Sequence, residues 1–330
     1  MLKTGKVPEN ILRRTIIKQI RTKREEILVG AGVGEDCAAI ELSGDEIFVV
    51  STDPITGTSH DIGALAVHVT ANDIASSGAQ VIGIMLSVLL PEGSEEEDLK
   101  IIMSQAEEVC ARLNIQTIGG HTEVTPVVNQ IVITATGIGK VKKDRLITTS
   151  SAHPGDDVVV TKWIGLEGTS IIVNEKKEEL QKRFSSSFLE TAKGFSEYLS
   201  VVEDARIAAS VGVSAMHDVT EGGIFGALWE VAEASGCGLD ISLYDIPIRQ
   251  ETVEICEEFR INPYMLISSG SMLITAPNGL DVVRALKAAG INAAVIGKVT
   301  GGNDRIIRNG DGTRYLEPPG PDELYKIYRK

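Results

Sequence analysis

Only four cysteines occur in this chain, Cys37, Cys110, Cys237 and Cys256, and no two of them stand at CxxC spacing. A disulfide framework is therefore excluded, a zinc site is disfavoured, and a reducing compartment is expected. No secretory leader is visible, because residues 1–26 are rich in Lys and Arg and lack an apolar core segment. The longest strongly apolar run, residues 81–90, is too short to span a bilayer. The expectation is a soluble, cytoplasmic protein without a membrane partner. An excess of positive charge is missing as well. The net charge of -14 argues against nucleic acid as a partner, since nothing would neutralise its phosphates. ATP is a different matter, because a divalent cation can lie between an acidic site and a polyphosphate. There is no GxxxxGK[ST], which excludes a P-loop. The glycine run at 30–34 is followed at once by Glu35-Asp36, not by an acidic residue some twenty positions on, so it is no dinucleotide fingerprint. No repeat with a period of 20–50 residues is visible.

What is present is an ordinary globular composition, 43% hydrophobic and 24% charged over 330 residues, enough for two domains with sizeable cores. A polar stretch at 144–155, with Thr148-Thr149-Ser150-Ser151 and His153-Pro154-Gly155, marks the expected boundary between domains 1–150 and 151–330. In the first half the pattern predicts a basic amphipathic helix over 8–27 and strands at 47–51, 81–90, 115–118 and 130–139. It also predicts a helix capped by Ser59 or Asp61 and stopped at Gly78, and a second opened by a capping box at 94–97 and ending near Asn114. In the second half it predicts strands at 157–161, 214–216, 272–275 and 293–296. Helices are expected at 165–173, 224–235, 251–259 and 280–289, with a long charged helical stretch after 173. Alternating strand and helix implies two α/β domains in tandem.

Several acidic residues are placed where decoration is a poor account. Asp36 follows the glycine turn, Asp53 ends an apolar strand, Asp73 lies in the last turn of a helix where the dipole disfavours it, and Glu123 follows Gly119-Gly120. Carboxylates delivered from several element ends suit a hard cation whose shell is completed by phosphate oxygens. Each also has a plain structural account: a turn residue, a cap before proline, an exposed helix end. His121 beside Glu123 is a candidate general acid or base, or a structural histidine. Gly30–Gly34 is a phosphate cradle or a tight turn. Cys37 is better read as a packed thiol than as a nucleophile. The stretch Asp218-Val219-Thr220-Glu221-Gly222-Gly223 joins a strand to a helix, as an anion site or as a close-packed helix start. Lys162-Trp163 with Gly165–Gly168 forms a second loop of that kind.

Taken in order, these pieces resemble the superfamily of aminoimidazole ribonucleotide (AIR) synthase, HypE, selenophosphate synthetase and thiamine monophosphate kinase. Gly34-Glu-Asp-Cys-Ala-Ala-Ile40 is similar to its G-D-D-A-A motif, Ser51-Thr-Asp53 to S-T-D, and His68-Val-Thr-Ala-Asn-Asp73 to a helix ending in N-D. Gly119-Gly-His-Thr-Glu123 resembles its G-G-D/E/H-T block and Asp218–Gly223 its D-x-T-x-G-G, while residues 232–236 and 245–248 look like HypE. The resemblance implies a two-domain α/β (α+β) fold of the PurM type, with an N-terminal mixed sheet forming a homodimer interface and a C-terminal α/β domain. It implies ATP and Mg2+ as cofactors, the metal held by Asp36, Asp53 and Asp73. His121 and Glu123 are implied as the catalytic pair, and Gly34, Gly119, Gly120, Thr122, Asp218, Thr220, Gly222 and Gly223 as cofactor contacts. The shared chemistry phosphorylates an amide-like or carbonyl oxygen, or passes the γ-phosphate on directly.

Three departures stand out. HypE works on a cysteine at its own C-terminus, and here no cysteine follows Cys256. Glu123 stands where HypE has lysine, and Ser268-Ser269-Gly270 where it has N-E-G. The expected activity is therefore ATP-dependent and of the HypE type, on a small-molecule or partner-protein substrate, as in a hydrogenase maturation factor. A nucleotide-binding regulator without turnover and a kinase of the thiamine monophosphate kinase type are the alternatives.

Overall fold

A computed structural model describes residues 5–6, 9–29, 39–40, 44–55 and 61–328. Gly34, Asp36, Cys37 and Ser59 lie outside the described residues. The chain divides into two compact units, Met1–Ala75 with Ala79–Leu146, and Ser76–Gly78 with Ile147–Lys330.

In the first unit, strand β1 (Gly5–Lys6) and helix α1 (Glu9–Thr15) precede a two-stranded ribbon, β2 (Ile27–Val29) with β3 (Ala39–Ile40). The expected helix over 8–27 is thus cut to seven residues. The chain is instead stapled to the next helical layer, where the N–H groups of Arg21 and Thr22 donate to the buried Glu107 carboxylate at 2.8 and 2.9 Å. The rest comprises β4 (Glu46–Ile55), α2 (Ile62–Ser76), β5 (Gln80–Leu90), α3 (Glu96–Leu113), β6 (Gln116–Val124) and β7 (Val132–Lys142). The sheet order is β1-β6-β5-β7-β4, with β5 and β6 parallel across α3 and every other pair antiparallel. Pro54 is tolerated in β4 because that strand is at the sheet edge. Helix α3 is capped one residue later than expected, by a reciprocal box between Glu95 and Asp98, while the Ser94 hydroxyl turns back to the Pro91 carbonyl.

Helix α2 is apolar almost all round, as befits a buried helix, with Ile62, Ala66, Val67 and Ile74 at 0–1% exposure. It lies on a part of the sheet stripped of side chains: a Cβ at Gly137 or Gly139 of β7 would run into Thr70 and Ile74 of α2. Both Asp53 and the Gly119–Glu123 block lie inside strands, not after them, so β4 and β6 are longer than their apolar cores predict.

The second unit contains β8 (Asp157–Thr161), α4 (Leu166–Glu175), α5 (Lys177–Leu180), α6 (Ser186–Lys193), α7 (Val202–Val211), β9 (Ala215–Val219) and α8 (Gly223–Ser235). These are followed by β10 (Gly238–Ser242), α9 (Gln250–Phe259), β11 (Ser271–Ala276), α10 (Gly279–Ala288), β12 (Ala293–Thr300), β13 (Arg305–Asn309) and β14 (Gly312–Tyr315). The sheet order is β14-β13-β10-β12-β8-β11-β9, parallel only between β10 and β13. Its central strands are covered on both faces: Val158 and Val160 pack with Leu228 and Val231 of α8, while Val159 approaches Gly279 of α10. A second core joins α4, α6 and α9 to residues Leu324 and Ile327 near the chain's end. The long charged helical stretch breaks into short helices, because it packs on α4 and α9 through a few apolar positions such as Leu180 and Leu189. Among the described residues no helix is long and apolar enough to cross a membrane.

Candidate active site

Ser51 and Asp53 are two residues apart in β4, so both project to the sheet face that α2 covers. Asp73, in the last turn of α2, is brought down to them by the glycines beneath the helix. The Ser51 hydroxyl donates to Asp73 Oδ2 at 2.5 Å and lies 3.3 Å from Asp53 Oδ2. Two carboxylates thus converge on one hydroxyl at a helix C-terminus, where the macrodipole opposes negative charge. An all-oxygen donor set of this kind suits a hard divalent cation. Among the described residues no three His, Cys, Asp or Glu side chains cluster as a metal set, and the third expected ligand, Asp36, lies outside them.

His121 and Glu123 form a pair of their own, Nε2 to Oε2 at 3.3 Å. The ladder shows which face of the sheet they occupy. Ser87 and Leu89 of β5 lie opposite them, and the same outward face carries Met85, Thr136 and Thr52. Asp53, Ala135, Leu86 and Gly120 form one row on the other face, and Thr122, 5% exposed, also points that way. The sheet therefore separates the His121–Glu123 side chains from Ser51, Asp53 and Asp73. Gly120, at φ 149°, is required where it stands, because a Cβ would fall on the Leu86 carbonyl.

In the second unit Asp218 is the penultimate residue of β9 and Gly222 is the left-handed N-cap of α8, φ 79°. Gly223 follows at φ 60°, its α-carbon so close to the Tyr264 and Leu266 carbonyls that no side chain fits. The N–H of Gly222 donates to Asp322 Oδ2 at 2.7 Å and that of Gly223 to the Thr220 carbonyl at 3.1 Å. Close packing thus accounts for Gly223 and the left-handed backbone for Gly222, and the chain's own carboxylate holds the amide expected to meet an anion.

Two family profiles match the chain, AIR synthase related protein, N-terminal domain, over residues 34–141, and AIR synthase related protein, C-terminal domain, over residues 153–308. The chain belongs to the AIR synthase-related family. A candidate hydrogenase expression/formation protein of Methanocaldococcus jannaschii is 29% identical to it, over 98% of this chain and 97% of that one. Carbamoyl dehydratase HypE of Rhodobacter capsulatus is 27% identical, over 91% of this chain and 88% of its own. The crystal structure of HypE in complex with ATP matches with a TM-score of 0.78 at 20% identity, covering 96% of both chains. The two-domain PurM-type fold is therefore shared over nearly the whole length, and the chain is an enzyme of the AIR synthase and HypE type.

This AIR synthase-related chain carries further polar residues that its sequence did not single out. Glu167, near the start of α4, is wholly buried; burial pushes its carboxyl up to about 7, against the Ser269 N–H that donates to it at 3.2 Å. Asp322 and Glu221 are the neighbouring carboxylates that add to the rise. Asp322 is itself buried, which raises its carboxyl, and the N–H groups of Leu324, Gly222 and Ile267 partly offset that. Asp322 belongs to no motif, and Glu167 lies in the Gly165–Gly168 loop with nothing to mark it out, so the fold reveals the burial of both. Lys162, whose loop attracted notice, is a buried structural cation held by Asp204 at 2.9 Å and by the Ser200 and Gly270 carbonyls. Cys256 is 1% exposed and burial pushes its thiol up to about 12, so it is inert packing.

Proposed function

We propose that this enzyme uses ATP to activate the oxygen of a carbamoyl or similar amide-like group, as a step of hydrogenase maturation, on a substrate borne by a small molecule or a partner protein. The amide oxygen attacks the γ-phosphorus and the bond to ADP breaks. The C–O bond then breaks with phosphate as leaving group, and the loss of both N–H protons leaves a nitrile. The net change is dehydration coupled to ATP hydrolysis. The observation that carries this reading is the convergence of Asp53 and Asp73 on the Ser51 hydroxyl. Asp53 and Asp73, together with Asp36, would hold Mg2+, which neutralises phosphate charge. The chain's own part is to position and to orient, since phosphoryl transfer asks little covalent chemistry of the protein. His121 and Glu123, on the opposite sheet face, are left outside the reacting centre. The loop at 218–223 is read as a cofactor-binding loop, as its motif suggests. The enzyme is further read as a cytoplasmic homodimer.

The deciding experiment is titration calorimetry of ATP with and without Mg2+, followed by an assay of ADP release with carbamoyl-bearing substrates. ATP should bind at least ~10-fold more weakly without the metal, and Asp53→Asn should remove that dependence. Equal affinity in all three cases would sink the reading.

A further inference from the structure

Helix α8 begins without a side-chain cap of its own. Its N-cap is Gly222, followed by Gly223, and both sit in the left-handed region. In a capping box the carboxylate of the third helical residue would accept the N-cap N–H, but that position here is Phe225. Asp322, a hundred residues downstream, does this instead. Its Oδ2 takes the Gly222 N–H at 2.7 Å and its Oδ1 the Leu324 N–H at 2.8 Å. Asp322 is 3% exposed, so these amides replace its water.

Three further contacts pin the same segment. The Tyr325 hydroxyl donates to Glu221 Oε1 at 2.9 Å, one residue before Gly222. Glu323 Oε2 accepts the Asn262 N–H at 3.1 Å. Leu324 and Ile327 are buried against Ile171, Ile255 and Cys256. A loop ending in two glycines has many accessible conformations, and the turn bond from the Gly223 N–H to the Thr220 carbonyl does not by itself select one. The segment around Asp322 and Tyr325 supplies that selection at Glu221 and Gly222.

We infer that Asp322 and Tyr325 are positioning residues, which clamp Thr220–Gly223 in the single conformation this loop needs for turnover. The inference rests on the proposed function, which reads this loop as a cofactor-binding one. Neither residue touches the reacting atoms; each acts through the loop.

The test uses the full chain and the variants Asp322→Ala, Asp322→Asn and Tyr325→Phe. Amide hydrogen exchange across residues 220–226 reads the clamp directly, without any substrate. Exchange at Gly222 should quicken about 10-fold in Asp322→Ala, the order of a lost helix cap. In Asp322→Asn it should rise less than in Asp322→Ala, because the amide oxygen can still accept the Gly222 N–H although its NH2 then meets the Leu324 N–H. ATP-dependent phosphate release should fall by a similar factor in Asp322→Ala and recover in part in Asp322→Asn. If Asp322→Ala fails to fold, Tyr325→Phe, which removes one hydroxyl, should still raise exchange at Glu221 and Gly222 by about threefold. Unchanged exchange in every soluble variant overturns the clamp. So does an equal loss of turnover in Ala and Asn, which would make charge and not the hydrogen bond the cause. If the parent chain shows no ATP turnover, the proposed function fails, while the exchange measurement still decides whether the clamp exists.

Discussion

A single buried carboxyl gives the most direct handle at the residue scale. Glu167 titrates near 7 in the folded chain against 4.5 for a solvated glutamate, because burial outweighs the Ser269 N–H that favours its charged form. The folded protein therefore holds a proton that the unfolded chain has lost between those two values. Stability should fall as pH rises through that window and level off above it. Glu167→Gln keeps the shape and removes the titration. Urea midpoints should show it more stable than the parent at pH 8, by on the order of 3 kcal/mol, and little different at pH 4.5. A parallel pH dependence in parent and variant would refute the assignment. Nothing in the sequence marked this residue out within the Gly165–Gly168 loop, because its state is fixed by Ser269, 102 positions away, and by carboxylates on other elements. Asp53 was legible, since a carboxylate inside an apolar run is odd wherever the strand ends.

At the scale of elements, the legible parts were those with strong periodicity or firm punctuation. Helix α2 ends with Gly78 at φ 76°, and α3 ends at Asn114 in the left-handed region, as their sequences announced. The N-terminal helix was overread because a basic, isoleucine-rich stretch keeps helical spacing even where Glu107 holds its backbone in an extended path. Strand β6 was underread because Gly119-Gly120 looks like a stop, though the second glycine serves a close approach to Leu86 within the sheet. The same property of glycine sets the proposed metal site: α2 can lower Asp73 onto Ser51 only over Gly137 and Gly139. Gly139→Val should therefore push the helix off through Ile74. Mg2+-dependent ATP binding should weaken at least ~10-fold, with an overpacking cost of about 1–3 kcal/mol. The control is Gly44→Ala, which meets nothing within 4 Å and should leave both unchanged. Calorimetry and thermal melts would show it.

At the scale of the whole molecule, the outward face of the first sheet is the feature that asks for a partner. Phe48 and Val50 on β4 are 47% and 60% exposed, and Ile138, Met85 and Leu89 continue the same face half-buried. A second copy is the natural cover for it. Light scattering should report a dimer at micromolar concentration, and Val50→Lys should return monomer; a parent monomer would count against this assembly. The second unit carries a different consequence. Its inner strand β8 is flanked by β11 and β12, with Val160 facing Leu273 and Ala294. During synthesis β8 must therefore wait, apolar and unpaired, until more than a hundred further residues have left the ribosome. The first unit closes its own sheet by Lys142 and can mature earlier. The vulnerable interval in the life of this enzyme is thus the time between those two events, when a half-made sheet is most open to chaperones and to aggregation.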